Sequence, residues 1–279
     1  MSENCNHDCS SCGTTCGEDT RKTGDMFEQP NDLSKIRHTI AVVSGKGGVG
    51  KSMVTGLLSI AMARKGRHVG IMDADITGPS IPKMFGVKGE VRASEAGAFP
   101  VPSAGGIDVV SMNLFLEHST DPVVWRGPVI SGVVKQFWSD IIWNDVDYLF
   151  IDMPPGTGDV PLTVMQSIKL DGIVIVTSPQ ELVSMIVSKA VKMASAMNVP
   201  ILGLVENMSY FECPDCGKRH EIFGKSHLDD IAREYDLKVL GRIPMQPNLA
   251  AQCDAGQIEN AENIYLNDAA EELLKLENN

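Results

Sequence analysis

Short apolar runs rich in Val and Ile alternate along the chain with stretches that carry apolar residues at helical spacing. The apolar runs predict buried strands at residues 39–43, 69–73, 107–112, 148–152, 173–177, 201–205 and 239–243. The helical spacing predicts helices at residues 51–65, 129–140, 181–197, 226–235 and 267–277. Strands that are buried on both faces and alternate with helices form parallel sheets. The pattern therefore predicts an α/β fold, a mostly parallel sheet with helices on both faces.

The beginning of the chain shows neither periodicity. Gly, Ser, Thr, Asn and Asp dominate residues 1–36, and regular structure is predicted to begin at about His38. We find no internal repeat and no long linker after that point. The sequence therefore predicts a flexible, Cys-rich tail at residues 1–36 and one α/β domain at residues 37–279.

The charge balance argues against several kinds of partner. Among the 279 residues, 36 Asp and Glu outnumber 24 Lys and Arg, which gives a net charge of −12. An acidic chain without a block of basic residues argues against binding to nucleic acid or to a membrane surface. No apolar run approaches the ~20 residues of a membrane span, and the N-terminus does not resemble a secretory signal. We therefore expect a soluble, cytoplasmic protein.

One glycine-rich segment fits the phosphate-binding pattern G-x-x-x-x-G-K-[ST] completely. It reads Gly45-Lys46-Gly47-Gly48-Val49-Gly50-Lys51-Ser52. A predicted strand precedes it and a predicted helix follows it, which is the context that this loop requires. Such a loop turns backbone N–H groups towards phosphates, and the N-terminus of the helix favours their charge. We predict a nucleotide site in which Lys51 reaches the β- and γ-phosphates and the Ser52 hydroxyl coordinates Mg²⁺.

Carboxylates follow two of the predicted strands. Asp152 ends the strand at residues 148–152, where an acid can hold Mg²⁺ through water. Asp73-Ala74-Asp75 ends the strand at residues 69–73, and residues 154–159 form a predicted switch loop after Asp152. An Asp at a strand end can also cap the next helix. Two such sites beside a phosphate loop favour the catalytic interpretation.

A second lysine in the loop, Lys46, is not needed by an ordinary phosphate loop. The sequence K-G-G-V-G-K-S resembles the deviant Walker A loop of dimeric P-loop ATPases, a class that includes the cell-division ATPases and the nitrogenase iron protein. This resemblance implies a homodimer in which Lys46 reaches the partner's ATP and Asp75 activates water or acts as a switch. Lys46, Lys51, Asp75 and Asp152 are then the candidate catalytic residues. The plainer alternative is that Lys46 is a solvated loop lysine.

The cysteines fall mostly in tight clusters. They are Cys5, Cys9, Cys12, Cys16, Cys213, Cys216 and Cys253. An odd number of clustered cysteines in reducing cytosol favours metal binding over a disulfide framework. The first four have no core-packing explanation in a polar tail and predict a metal site, either an iron–sulfur cluster or zinc. The isolated Cys253 is expected to be a small packed side chain.

The segment Cys213-Pro214-Asp215-Cys216-Gly217 is a tight turn that can point both thiolates at one ion. It supplies two ligands, whereas a tetrahedral zinc site or a cluster takes four. A second subunit or the tail cysteines could complete the set, and a redox disulfide or structural zinc are the alternatives. Two copies that meet at a two-fold axis would give four thiolates around one cluster.

Longer segments resemble the Mrp/ApbC group of P-loop ATPases, which carry or scaffold iron–sulfur clusters. They are D-A-D-I-T-G-P-S at residues 73–80, W-R-G-P at 125–128, I-D-M-P-P-G-T-G-D at 151–159 and E-N-M-S at 206–209. The resemblance covers residues 37–260. It implies a homodimer that bridges a [4Fe–4S] cluster through Cys213 and Cys216 of each subunit and transfers it to apo-proteins. It also implies that Asn207 contacts adenine and that the loop at Pro244 flanks the base.

Two features depart from this group. Residues 1–36 do not resemble the small N-terminal domain of many members, so we expect no such domain here, and the tail cysteines are spaced more closely than in eukaryotic cytosolic scaffold relatives. The favoured function is an ATP-dependent cluster carrier in which hydrolysis gates loading or release. The alternatives are an ATP-driven electron donor similar to the nitrogenase iron protein, and a positioning ATPase with structural zinc.

Overall fold

A central sheet organises the part of the chain that the computed structural model describes, residues 27–116, 125, 127–179, 183–262 and 264–278. The strands are β1 (Lys35–Ser44), β2 (Val69–Asp73), β3 (Ala93–Ser94), β4 (Gly97–Ala98), β5 (Val101–Pro102), β6 (Asp108–Val110), β7 (Asp145–Asp152), β8 (Gly172–Thr177), β9 (Ile201–Asn207), β10 (Phe211–Glu212), β11 (Arg219–His220) and β12 (Val239–Ile243). The helices are α1 (Lys51–Arg64), α2 (Ile81–Met84), α3 (Gly127–Ser139), α4 (Asp159–Ser167), α5 (Val183–Ala196), α6 (Leu228–Glu234), α7 (Pro247–Asp254) and α8 (Asn267–Leu274). No helix within these ranges is long and apolar enough to cross a membrane.

The main sheet has the strand order β12-β9-β8-β1-β7-β2-β6-β5. All of its pairs are parallel except that between β5 and β6, which confirms the predicted mostly parallel sheet. Because parallel strands share one direction, the loops after β1, β2, β7, β9 and β12 open at the same edge. Ligands of open α/β sheets bind at this carboxyl edge.

Helices cover both faces of the sheet, and β1 shows how. Ile40 and Val42 pack into the same hydrophobic cluster as Leu57 of α1. Ala41 and Val43 point to the opposite face and pack into the cluster that contains Val187 of α5. Successive strand residues therefore enter different cores, which explains why the strand reads as a continuous apolar run.

The structure differs from the predicted elements in several places. The strand predicted at residues 107–112 is shorter, because β6 ends at Val110 and a 3₁₀ turn, Met112–Leu114, follows it. Helices α2, α4 and α7 and the short strands β3, β4, β5, β10 and β11 have no counterpart among the predicted elements. Helix α7 buries Leu249 alone, so it has no apolar periodicity to detect.

Residues before His38 belong partly to the domain. Strand β1 begins at Lys35, so the predicted boundary after residue 36 lies inside it. Upstream, the Glu28 amide donates to the Ser167 carbonyl (2.7 Å), and the Trp138 indole N–H donates to the Glu28 carbonyl (2.9 Å). The predicted tail cysteines Cys5, Cys9, Cys12 and Cys16 lie outside the described residues.

Candidate functional site

The phosphate loop connects β1 to α1 at the carboxyl edge of the sheet. Gly50 has φ +76°, a left-handed conformation that favours glycine, and a Cβ atom here would overlap the Asn207 side-chain amide. The loop is therefore held closely against the end of β9. Lys51 is the first residue of α1, so the N-terminal amides of this helix adjoin the loop, as phosphate binding requires.

Lys51, Ser52 and Asp152 converge in this site, although about a hundred residues separate the first two from the third. The Lys51 Nζ lies 2.6 Å from Asp152 Oδ1, and both side chains are buried. The Ser52 hydroxyl donates to Asp152 Oδ2 (2.5 Å), and the Thr55 hydroxyl donates to Oδ1 (2.8 Å). The Ser52 and Asp152 oxygens together form the kind of donor set that Mg²⁺ prefers.

The two carboxylates after β2 have different surroundings. Asp73 is fully buried and is the register partner of Asp152 across the β2–β7 pair. Burial, reinforced by the charge of Asp152, raises the pKa of Asp73 to about 8. The Ser111 hydroxyl donates to Asp73 Oδ2 (3.1 Å), and the Asp75 amide donates to Oδ1 (3.2 Å). Asp73 therefore anchors the loop that carries Asp75.

Asp75 lies at the half-buried rim of this acidic group. Burial raises the pKa of its carboxyl group, while the nearby Lys51 ammonium opposes that shift. The Thr77 hydroxyl approaches Asp75 Oδ1 at 3.4 Å. The second loop lysine, Lys46, is half-buried, and its carbonyl accepts a hydrogen bond from the Ser44 hydroxyl (3.1 Å).

Asn207 ends β9 beside the phosphate loop. Its Nδ2 donates to the Val49 carbonyl (2.9 Å), whereas its buried Oδ1 has no hydrogen-bond partner. A buried amide oxygen without a donor is costly, and the amino group of a purine could satisfy it. Pro244, which follows β12, lines a cleft of about 790 Å³ with Tyr210 and Tyr265.

The paired cysteines lie in a turn between β10 and β11, and we refer to residues 211–220 as the thiol hairpin. The Cys213 amide donates to the Lys218 carbonyl, and the Gly217 amide donates to the Cys213 carbonyl, both at 2.9 Å. Backbone N–H groups of Cys216 and Asp215 lower the pKa of the Cys213 thiol. Such stabilisation of the thiolate suits a metal ligand.

Cys213 and Cys216 are free thiols, and Cys216 is exposed. Within the described ranges, no group of three or more His, Cys, Asp and Glu side chains is arranged to hold a metal ion. The hairpin therefore offers two thiolate ligands. Arg219 stacks over the Tyr210 ring at 4.3 Å and pairs with Glu212, which links the two strands of the hairpin.

Comparison with known proteins decides the family. The ParA family model, described as NUBPL iron-transfer P-loop NTPase, matches residues 35–277. The chain belongs to this family. The assignment is consistent with the predicted fold and with the resemblance of the sequence to cluster-carrying P-loop ATPases.

Individual relatives agree with this family. An iron-sulfur cluster carrier protein of Methanocaldococcus jannaschii is 45% identical over 260 residues, which cover 90% of this chain and 89% of the relative. A cytosolic Fe-S cluster assembly factor NUBP2 homolog of Nematostella vectensis is 41% identical, over 82% of this chain and 87% of the relative. The nucleotide-binding protein of Archaeoglobus fulgidus, solved in complex with ADP, is 46% identical with a TM-score of 0.74. That match covers 81% of this chain and 89% of the solved one.

Membership in this P-loop NTPase family makes nucleotide hydrolysis the general chemistry of the fold. The sequence identified the segment of the phosphate loop, Asp152 and the paired cysteines as candidate site residues. It assigned no role to Thr55, Asp73 or Glu206. Only the register of β2 against β7 reveals that Asp73 faces Asp152, and only the fold reveals the Thr55 contact.

Proposed function

We propose that this family member is an ATP-dependent carrier of iron–sulfur clusters. Two subunits hold one [4Fe–4S] cluster through Cys213 and Cys216 of each, and pass it to apo-proteins. ATP hydrolysis gates loading or release of the cluster. The names of relatives that are more than 40% identical support cluster carriage.

One observation supports the proposed coupling between the nucleotide site and the cluster site. Asn207 contacts the phosphate loop through the Val49 carbonyl, and the same chain segment reaches Cys213 six residues later. The Tyr210 carbonyl at the base of the hairpin accepts from the Met245 amide (2.7 Å), next to Pro244. The hairpin is thus attached to the segments that flank the proposed base site.

In the nucleotide site, we assign phosphate binding to the backbone of residues 45–50 and to Lys51. Ser52 and Asp152 would hold Mg²⁺, which neutralises phosphate charge during hydrolysis. Asp75 orients or activates the attacking water, and Asn207 and Pro244 contact the base. Lys46 reaches the nucleotide of the partner subunit, which makes hydrolysis dependent on the dimer.

Cluster transfer by this chain is ligand exchange without a redox step. An acceptor thiolate forms a bond to a cluster iron as the Cys213 or Cys216 thiolate leaves it, so one Fe–S bond forms for each one that breaks. The proton that the acceptor thiol loses can be taken up by the released thiolate. Backbone amides lower the pKa of the Cys213 thiol, and this stabilisation of the thiolate makes it a better leaving ligand than a thiolate without such donors.

We further propose that the Cys-rich segment before the described domain, residues 1–26, binds a metal of its own. Cys5, Cys9, Cys12 and Cys16 provide four ligands within a short span, which suits a second [4Fe–4S] cluster or zinc. Deletion of residues 1–26, which leaves Glu28 and its contacts in place, should remove this metal while the hairpin site still loads. Metal analysis of the two proteins after anaerobic reconstitution distinguishes iron from zinc.

The decisive experiment for the carrier compares cysteine variants of the full chain. A Cys213→Ala/Cys216→Ala variant should fail to deliver a cluster to an apo-enzyme, whereas Cys253→Ala should deliver it at the wild-type rate. Delivery at the wild-type rate by the double variant would refute the proposal. A cluster that is reduced and reoxidised with ATP but never leaves would favour the electron donor, and stoichiometric zinc at the hairpin would favour the positioning ATPase.

A further inference from the structure

A fully buried carboxylate lies at the base of the thiol hairpin. Glu206 precedes Asn207 at the end of β9 and is 0% exposed. The Ser209 hydroxyl donates to Glu206 Oε2 (2.5 Å), and the Ser226 hydroxyl donates to Oε1 (2.7 Å). Ser209 precedes the hairpin and Ser226 follows it. One side chain therefore ties together both ends of the segment that carries Cys213 and Cys216.

The same contacts fix this base to the surrounding elements. The Ser226 hydroxyl oxygen also accepts from the Leu228 amide (3.2 Å) at the start of α6. The Ser209 amide donates to the Ile243 carbonyl (2.9 Å) at the end of β12. The base of the hairpin is therefore held by β9, β12 and α6, with the Glu206 carboxylate at the centre of the contacts.

Packing alone does not explain a buried carboxylate at this position. Removing it from water costs free energy that hydrogen bonds must offset, and a well-packed apolar residue would often serve stability equally well. What a carboxylate adds is two acceptor oxygens on one rigid group, each able to receive a strong hydrogen bond. Here the two oxygens receive donors from the two ends of one functional segment.

We propose that Glu206 is a positioning residue that sets the thiol hairpin relative to the nucleotide loop. Glu206 and Asn207 are consecutive in β9. The first holds the hairpin and the second holds Val49 of the phosphate loop, so a displacement at the loop is passed to the hairpin. This inference rests on the proposed function of Cys213 and Cys216 as cluster ligands and adds the element that relates them to the nucleotide.

The test removes the two hydroxyl donors and keeps the carboxylate. Ser209→Ala, Ser226→Ala and the pair are compared with Ser226→Thr, which retains a hydroxyl group. The control is Ser103→Ala, because Ser103 donates a similar hydrogen bond to Glu259 Oε1 (2.7 Å) near the opposite edge of the sheet. Amide hydrogen exchange of the full-length protein without a cluster is measured by peptide, with and without Mg²⁺ and ATP.

In the pair variant, we expect exchange within residues 209–226 to rise about tenfold or more, since both hydrogen bonds that hold the two ends of this segment to Glu206 are lost. Exchange in the phosphate loop should stay at the wild-type level. ATP should slow exchange in both segments of the wild-type protein, but only in the loop of the pair variant. Ser226→Thr should behave like the wild type. A role in general stability would not produce this selective loss of the ATP effect.

The proposal is overturned if the hairpin of the pair variant exchanges at the wild-type rate, if all peptides speed up together, or if Ser103→Ala has the same effect. It is also overturned if ATP leaves hairpin exchange unchanged in the wild type. These readouts use protein without a cluster, so they decide the role of Glu206 even if no cluster is carried. If a cluster is carried, its loss to an iron chelator should accelerate in the pair variant and not in Ser103→Ala.

Discussion

The buried pair between Lys51 and Asp152 makes a quantitative prediction about the protein without nucleotide. Lys51→Met keeps the aliphatic stem but removes the ammonium group, which leaves a 0%-exposed carboxylate without its cation. Removing one partner of a buried ion pair typically costs about 3–5 kcal/mol. The Ser52 and Thr55 hydroxyls would still donate to Asp152, so we expect the lower end of this range. For a domain of this size, about 3 kcal/mol corresponds to a fall in Tm of roughly 6–12 °C.

A matched control exists at the end of the same helix. Lys65 pairs with Glu271 at the surface, where both side chains are accessible to solvent. Lys65→Met should therefore cost no more than about 1 kcal/mol. Thermal unfolding followed by circular dichroism, with a metal chelator and no nucleotide, measures both variants.

A second substitution distinguishes the effect of the unpaired Asp152 charge from the effect of altered packing at Lys51. In Lys51→Met/Asp152→Asn, the uncompensated charge is gone, so the double variant should recover at least half of the lost stability although neither variant binds ATP. A Tm of Lys51→Met that lies within about 1 °C of the Tm of Lys65→Met would refute the argument. So would a double variant that is no more stable than Lys51→Met.

Three further predictions concern other residues of the site. Lys46→Ala should keep much of the ATP affinity in equilibrium titration but release no phosphate, and normal hydrolysis would contradict the proposed role across the dimer. Asn207→Ala should weaken binding of ATP about tenfold or more while changing the affinity for GTP much less, because a buried amide oxygen matches the adenine amino group; equal losses for both nucleotides would contradict this. Because the pKa of Asp73 is raised to about 8, the folded state keeps a proton that the unfolded state releases near pH 4. This bound proton stabilises the folded state at low pH, so the free energy of unfolding falls as the pH rises from about 4 to about 8. Asp73→Asn removes that loss, so the Tm of the variant minus that of the wild type should increase between pH 5 and pH 8.5 in metal-free protein, and a constant difference would show that Asp73 stays ionised.

The sheet and the phosphate loop could be predicted from sequence because their signals are local. Alternate residues of β1 enter opposite cores, so the strand reads as one apolar run between polar segments. The phosphate loop is one contiguous pattern whose context of strand and helix lies in the adjacent sequence. Helix α7 escaped prediction because it buries Leu249 alone and has no apolar face to count.

The acidic part of the site needed the structure. Asp73 and Asp75 are two residues apart, and the sequence favoured Asp75 because of the family resemblance. Pairing of β2 with β7 sets Asp73 opposite Asp152 and buries it, which gives it the large pKa shift. The sequence places Glu206 in the family segment E-N-M-S but does not predict its contacts, because Ser209 and Ser226 lie on opposite sides of the hairpin in the sequence.

The order of strands explains how one domain can serve both a nucleotide and a pair of thiols. β1 and β7 are neighbours, so the phosphate loop and Asp152 meet at one place on the carboxyl edge. β9 lies beyond β8 on the other side of β1, yet the Asn207 side chain reaches back to the Val49 carbonyl of the loop. Three residues, 208–210, separate the end of β9 from the thiol hairpin. If the proposed role of Glu206 holds, the contacts of two consecutive residues, Glu206 and Asn207, would connect the hairpin to the phosphate loop.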